Sequence, residues 1–204
     1  ILLEINLVLG ALFFVQPDAA IGLWPWPVKA LAVRFLGATF LAITFGCWSA
    51  LRAKVWQRGK ILILVGATFF GITSVIAAGT GLSQTAGFSI WAWTGYFLVA
   101  TLGLLAILKH HGWYRRPQDM IGLNPPWKLA RLFFRVQTVA VGVFGSFMLF
   151  IPELALDQFW PWDVAFPTLQ TFAALFLATC LATGWASLQT EKARIRALLP
   201  LDAI

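Results

Sequence analysis

Apolar residues form six long segments along this chain, separated by short stretches that contain charges, prolines and glycines. A helix needs about 20 mostly apolar residues to cross the hydrocarbon core of a bilayer. The pattern therefore predicts six transmembrane helices, at residues 1–16, 28–51, 61–78, 90–108, 129–151 and 164–188. The first segment is short for a span, so we expect its helix to begin upstream of residue 1. A cleaved signal peptide is the alternative, but no small-residue cleavage pattern precedes Gln16-Pro17.

Composition excludes a water-soluble fold. Hydrophobic residues make up 60% of the chain, charged residues make up 11%, and the mean hydropathy is +0.81. A soluble domain carries about 25% charged residues, which it needs to cover its surface. We therefore expect residues 1–204 to form one all-α, polytopic transmembrane domain.

The charges predict the orientation of the helices. Every lysine and arginine except Lys29 and Arg34 lies after segment two, between segments four and five, at the start of segment five or in the tail. The positive-inside rule places that side in the cytoplasm, together with both termini. The net charge of +7 then reflects topology and attraction to anionic lipids, with no basic stripe that would indicate nucleic-acid binding. This arrangement suits a bacterial inner membrane.

The tripeptide Trp-Pro-Trp occurs twice, each time in a non-cytoplasmic loop between two apolar segments. Similar residues surround both copies, which indicates an internal duplication. We expect a first repeat hairpin at 1–51, an inserted hairpin at 61–108, a second repeat hairpin at 129–188 and a cytoplasmic tail at 189–204. Helices one and two would correspond to helices five and six. The offset of four spans makes the two repeats parallel, and their symmetry axis would lie near the membrane normal.

Each tripeptide precedes a helix that enters the membrane, which favours an anchoring role. Indole rings prefer the bilayer–water interface, and proline holds the preceding tryptophan in an extended conformation. The alternative is a docking surface for a partner or a pigment ring. The residues concerned are Trp24, Pro25, Trp26, Trp160, Pro161 and Trp162.

Arg34 lies about two turns inside the second predicted span and is the strongest anomaly among the charges of the sequence. A charged side chain at the centre of a bilayer costs at least about 2.5 kcal/mol, although a position near one end costs less. We favour a structural arginine that ties loops to helices, paired with helix carbonyls or with a carboxylate. The candidate acids on the same side of the membrane are Asp18, Glu153, Asp157 and Asp163. The alternative is a transport role, with Arg34 binding an anionic substrate at the interface between the repeats.

Sequence motifs for catalysis or metal binding are missing, and we expect no enzymatic activity. The two cysteines, Cys47 and Cys180, lie inside predicted spans, where we expect them to pack as small apolar residues. The two histidines, His110 and His111, lie at the cytoplasmic end of segment four. They are candidate ligands of a bacteriochlorophyll or haem, or else interfacial residues near lipid phosphates. No cofactor is required by the sequence, but bound lipid is expected and a bound pigment is an alternative.

The first tripeptide and the residues after it resemble a pattern found in uncharacterised multi-span bacterial membrane proteins. Those proteins often carry a second, decayed copy of the hairpin. In this chain Lys29-Ala30 stands where the pattern prefers Thr-Pro, and the second copy lacks the arginine. The resemblance implies the fold and the duplication, without an activity. The matching positions are Trp24, Pro25, Trp26, Leu31, Arg34, Gly37 and Ala38.

These observations favour a non-catalytic subunit of a larger membrane complex, photosynthetic or respiratory, whose partners are the lipid bilayer and other membrane subunits. Aromatic side chains and small residues in the spans offer faces on which other helices can pack. The alternative function is a small transporter or channel that uses Arg34.

Overall fold

The computed structural model describes residues 2–52, 56–83, 87–110, 128–161 and 163–188. Within these ranges the chain is all-α, with eight helices and no strand. The helices are α1 Leu2–Val15, α2 Pro17–Ala20, α3 Ala30–Arg52, α4 Trp56–Ser83, α5 Phe88–His110, α6 Lys128–Phe150, α7 Pro152–Gln158 and α8 Phe166–Leu188.

Five of the helices, α3, α4, α5, α6 and α8, are long and apolar enough to cross a membrane. This confirms the predicted all-α membrane-type fold. Helix α1 is apolar but has only 14 described residues, or about 21 Å at 1.5 Å per residue. It is therefore shorter than the hydrocarbon core, which is about 30 Å thick.

Helix α4 continues to Ser83, beyond the predicted end of its segment at residue 78. Gly81, in this added stretch, stays helical because α5 packs directly on it. A Cβ atom added at Gly81 would lie 3.1 Å from the Trp91 ring of α5. The Thr80 hydroxyl also donates a hydrogen bond to the Ile76 carbonyl one turn earlier.

Three helical hairpins make up the fold. Helix α1 packs on α3, α4 packs on α5, and α6 packs on α8. Helix α4 also packs on α3 and α8, so it joins the three hairpins from a central position. The short helices α2 and α7 lie in the connections that carry the two Trp-Pro-Trp tripeptides.

Small residues bring the helices into close contact, as bilayer-embedded helices require. A Cβ atom added at Gly37 of α3 would lie 2.5 Å from the backbone nitrogen of Phe14 in α1. A Cβ atom at Gly142 of α6 would lie 2.8 Å from the Cys180 sulfur in α8. The α6–α8 contact also contains a hydrogen bond of 2.9 Å between the Thr138 and Thr183 hydroxyls.

Candidate functional site

The first Trp-Pro-Trp loop begins where α1 ends. Gln16 has φ −124° and ψ 60°, so the chain turns before Pro17 opens α2. A 3-10 turn over Ile21–Leu23 follows, and the Trp24 amide donates a hydrogen bond to the Ile21 carbonyl. Trp24 itself is extended, with φ −76° and ψ 137°, as expected of a residue before proline.

Trp24 lies at the centre of an aromatic cluster inside the protein. Its side chain is 4% exposed and that of Trp26 is 5% exposed. The expectation that these two rings anchor the protein in the lipid interface is therefore wrong. Both indoles are instead covered by protein, because α1, α3 and α5 supply rings around Trp24. The ring centroids next to Trp24 are those of Trp93 at 5.1 Å, Trp26 at 5.3 Å, Phe13 at 6.2 Å, Phe97 at 6.3 Å and Phe40 at 6.5 Å.

Hydrogen bonds tie this loop to two further helices. The Trp24 Nε1–H donates to the Thr168 hydroxyl of α8 at 3.1 Å, and both residues are buried. The Trp93 Nε1–H of α5 donates to the Leu23 carbonyl at 2.7 Å. A buried indole normally finds such a partner for its N–H group. The first loop is thus joined to the inserted hairpin and to the second hairpin.

The second loop lies beside the first. The half-buried Trp160 ring stacks on Phe172 of α8, with centroids 5.2 Å apart and an interplanar angle of 25°. Phe172 in turn packs edge-on against Phe35 of α3 at 4.9 Å. Pro161 is exposed, and Trp162 lies outside the described residues. We call the contacts of Trp24 with Thr168 and of Phe35 with Phe172 the loop seam.

An exposed ion pair connects the two loops beside the loop seam. Lys29, just before α3, lies 2.9 Å from Asp163, which follows the second tripeptide. The hydrogen bond from Lys29 and its positive charge hold the pKa of Asp163 below its ordinary value. Because both side chains are largely exposed, the pair contributes little to stability.

We expect Lys29→Gln to return the pKa of Asp163 to its ordinary range, as followed by NMR titration of the carboxyl carbon. The pair is formed above the pKa of Asp163 in the unfolded chain and is lost as the pH falls through the lowered folded-state pKa. High salt should reduce the difference between wild type and variant, since exposed charges are screened. An Asp163 pKa that Lys29→Gln leaves unchanged would rule out this pairing.

Arg34 lies on the exposed surface of α3, outside the loop seam. Among the described residues it has neither an ion pair nor a hydrogen bond, so the expected pairing with one of the four candidate acids is not formed. Asp163, one of its candidate partners, binds Lys29 instead. The geometry of α3 explains the position, because Gly37 faces α1 and Gly46 faces α4, which leaves Arg34 on a third side.

The other candidate residues are not brought together. His110 is exposed at the end of α5, and His111 lies outside the described residues. Within the described ranges, no group of three His, Cys, Asp or Glu side chains could hold a metal ion. Cys47 and Cys180 are free thiols on different helices.

A cavity of about 90 Å³ lies between α1, α3, α4 and α5. Its lining is apolar except for the Asn6 amide and the Cys47 thiol. An apolar cavity of about 150 Å³ is needed to hold a benzene molecule, so this one is too small for a pigment ring. An open groove of about 520 Å³ lies on the exposed surface of α6, and Phe159 forms one end of its lining.

Residues that sequence reasoning missed are Trp93 and Thr168, which hold the first loop in place. A usable signal for Trp93 was present, because Trp93, Tyr96 and Phe97 recur at the spacing of one helix face. No signal in the sequence distinguishes Thr168 from the many other threonines of the spans.

Comparison of the chain with protein-family models, curated proteins and solved structures found no match in any of the three.

Proposed function

We propose that this protein is a non-catalytic, six-helix subunit that packs within a larger complex of the bacterial cytoplasmic membrane, photosynthetic or respiratory in kind. The observation that supports this function is the contrast between its interior and its outer helices. Interlocking rings and small residues fill the interior. In the most apolar 18-residue stretch of each helix, 22% of α5 and 17% of α6 is buried inside the protein. The corresponding share is 50% in each of the other three long helices. Two long helices are therefore open to neighbours.

The proposed topology places both termini in the cytoplasm and both Trp-Pro-Trp loops outside. Helix α1 would supply the sixth span. The charges at the helix ends support this orientation. Arg52 ends α3 and Lys109 lies in the last turn of α5, whereas Asp18 and Glu153 begin the short helices in the opposite loops.

A parallel repeat is part of the proposal, and the backbone at the two loops supports it. Ile151, the residue between α6 and α7, has φ −132° and ψ 57°, close to the values of Gln16. Pro17 and Pro152 follow these two residues, and both prolines are buried at the start of a short helix. The helix after each tripeptide has 23 residues.

Contacts within the two hairpins support the repeat as well. Gly10 and Gly145 each lie seven residues before the loop proline, and each lies in close contact with the second helix of its hairpin. A Cβ atom added at Gly10 would lie 2.9 Å from Leu41, and one added at Gly145 would lie 2.9 Å from Phe176 and 3.2 Å from Leu177. A glycine at the helix contact in both hairpins thus supports the proposed repeat.

Native purification tests the proposed function. The protein is extracted from its own membranes in lipid-preserving polymer discs, sized, and examined by mass spectrometry and absorption spectroscopy. We expect a particle well above the 22.5 kDa of the chain, with other membrane proteins in fixed ratio. The same chain made in a host without those partners is the control and should purify alone. A native particle that contains only this chain and lipid contradicts the proposal.

A further inference from the structure

One exposed face of α3 combines small residues with a charge. Its members recur every three or four residues, so they form one stripe along the helix. The middle of the stripe consists of two alanines one turn apart, with Arg34 towards the outer end. We call this stripe the α3 face; its exposed residues are Leu31, Arg34, Ala38, Ala42, Phe45 and Ser49.

Bulky aliphatic and aromatic side chains predominate on the other open faces of the protein, as is suitable for contact with lipid tails. A few small residues are exposed there as well, namely Ala92, Gly95 and Ala106 on α5 and Ala140 on α6. Alanines instead allow a second helix backbone to approach closely. The exposed residues on α5 and α6 include Leu98, Val99, Leu102, Leu105, Leu132, Phe133, Val136, Val139 and Val143.

The second hairpin has a matching face on α8, and this face is buried inside the protein. On α8, Ala173 and Leu177 contact Gly145 of α6, and the next residues, Ala174 and Ala178, are completely buried. At 100° per residue those two alanines point away from α6. The other long helix packed extensively on α8 is α4. We conclude that α4 covers this side of α8.

The α3 face occupies the same position in the first hairpin. Gly37 and Leu41 contact Gly10 of α1, and the next residues are Ala38 and Ala42. These two alanines therefore correspond to the pair that α4 covers on α8. In α3 both are exposed. The described chain thus covers this kind of face in one hairpin and leaves it open in the other.

We propose that a transmembrane helix of a different protein packs on the α3 face, and that an aspartate or glutamate near its outer end pairs with Arg34. The inference rests on the proposed function and identifies one surface of the subunit and the partner that fits it. Charge complementarity decides the partner. Arg34 has no carboxylate partner within the described chain, and a guanidinium in a bilayer is stabilised by pairing with one.

A second copy of this chain does not fit the same face. In a symmetric pairing of two parallel α3 helices, each residue lies opposite its own equivalent. The two Arg34 side chains would then face each other, and the repulsion between like charges opposes this contact. A lipid phosphate could also accept Arg34, because the side chain points towards the outer end of the helix. That occupant would leave the alanine stripe without a helix.

Site-specific photo-crosslinking in native membranes tests the proposal. A benzoylphenylalanine at Ala38 probes the α3 face, and the same group at Val143, which is 66% exposed on α6, is the matched control. We expect an adduct of defined mass at Ala38 with another membrane protein, mapped to a transmembrane helix that carries an acid near its outer end. At Val143 we expect no adduct with that helix.

Charge reversal makes the test specific. Arg34→Glu should weaken the contact by at least about 30-fold, because truncating or opposing a desolvated charge pair costs 2 kcal/mol or more. Changing the partner's acid to arginine in the Arg34→Glu background should restore the adduct. Arg34→Lys, which keeps the charge, should retain more of it than Arg34→Glu.

Three results would overturn the proposal: adducts at Ala38 with lipid alone, adducts with a second copy of this chain, or a protein adduct that Arg34→Glu leaves unchanged. If any of these occurs while the native particle still contains other proteins, the α3 face is not the contact but the proposed function stands. If the native protein purifies alone, the proposed function itself fails.

Discussion

Replacing Trp24 with alanine is expected to lower the free energy of unfolding by about 3–5 kcal/mol. The substitution removes a side chain that is 4% exposed and packs against five other rings, among them Trp93 and Phe97 of α5. It also leaves the buried Thr168 hydroxyl without the donor that binds it. The measurement is the unfolding equilibrium in mixed detergent micelles, followed by circular dichroism.

Trp91→Ala is the matched control for this prediction. Trp91 lies on α5 like Trp93, but its side chain is 45% exposed. Because that ring is only partly covered, we expect it to lose less than half as much stability as Trp24→Ala. Equal losses at the two positions would mean that Trp24 is not the centre of the aromatic cluster.

The second large effect is expected at Gly37, where α1 and α3 are in backbone contact. A Cβ atom there would lie 2.5 Å from the Phe14 nitrogen, 2.8 Å from the Gly10 carbonyl oxygen and 2.9 Å from the Phe13 carbonyl carbon. All three are backbone atoms of α1, so the whole helix must move. Overpacking costs about 1–3 kcal/mol for one added group, and the higher helix propensity of alanine returns about 1 kcal/mol. We expect Gly37→Ala to destabilise the protein by up to about 2 kcal/mol and Gly37→Val by more.

Gly46→Ala on the same helix provides the comparison. The nearest atoms to a Cβ at this position belong to the Leu62 side chain, at 3.8 and 3.9 Å, which is ordinary contact. This variant should be as stable as wild type or slightly more stable in the same unfolding measurement. If Gly37→Ala matches it, α1 and α3 are not in backbone contact at Gly37.

The helices could be predicted because the requirements of a membrane span act directly on the sequence. Its length must match the hydrocarbon thickness, and its side chains must be apolar along that whole length. The ends at Ala30 and at Leu188 accordingly fall within a few residues of expectation. The partial exception is α4, which continues beyond its predicted end and in which Gly81 packs against the Trp91 ring of α5.

The environment of the tryptophans could not be predicted in this way. A ring-rich tripeptide before a helix suits the lipid interface and a protein interior equally well. What decides between them is Trp93, which is remote in sequence and closes over Trp24 only when α5 packs beside the first hairpin. Local physics fixes the extended backbone of Trp24, but the burial of its ring depends on tertiary packing.

Arg34 illustrates a related limit. The sequence shows that a charge lies inside a span, but the side of the helix that carries it depends on which residues contact the neighbouring helices. Gly37 and Gly46 take the contacts with α1 and α4, and Arg34 is left on the open side. The pairing that we expected within the chain therefore becomes a proposed pairing with another protein.

A double-mutant cycle between Trp24 and Thr168 tests most directly whether the first Trp-Pro-Trp loop, in the α1–α3 hairpin, is joined to the α6–α8 hairpin inside the protein. Trp24→Phe keeps a ring but removes the N–H donor, and Thr168→Val removes the hydroxyl acceptor while keeping the shape of the side chain. We predict a coupling free energy of about 0.5–1.5 kcal/mol, the usual value of a buried hydrogen bond. Losses of stability that simply add, with no coupling, would contradict the contact between the first loop and α8.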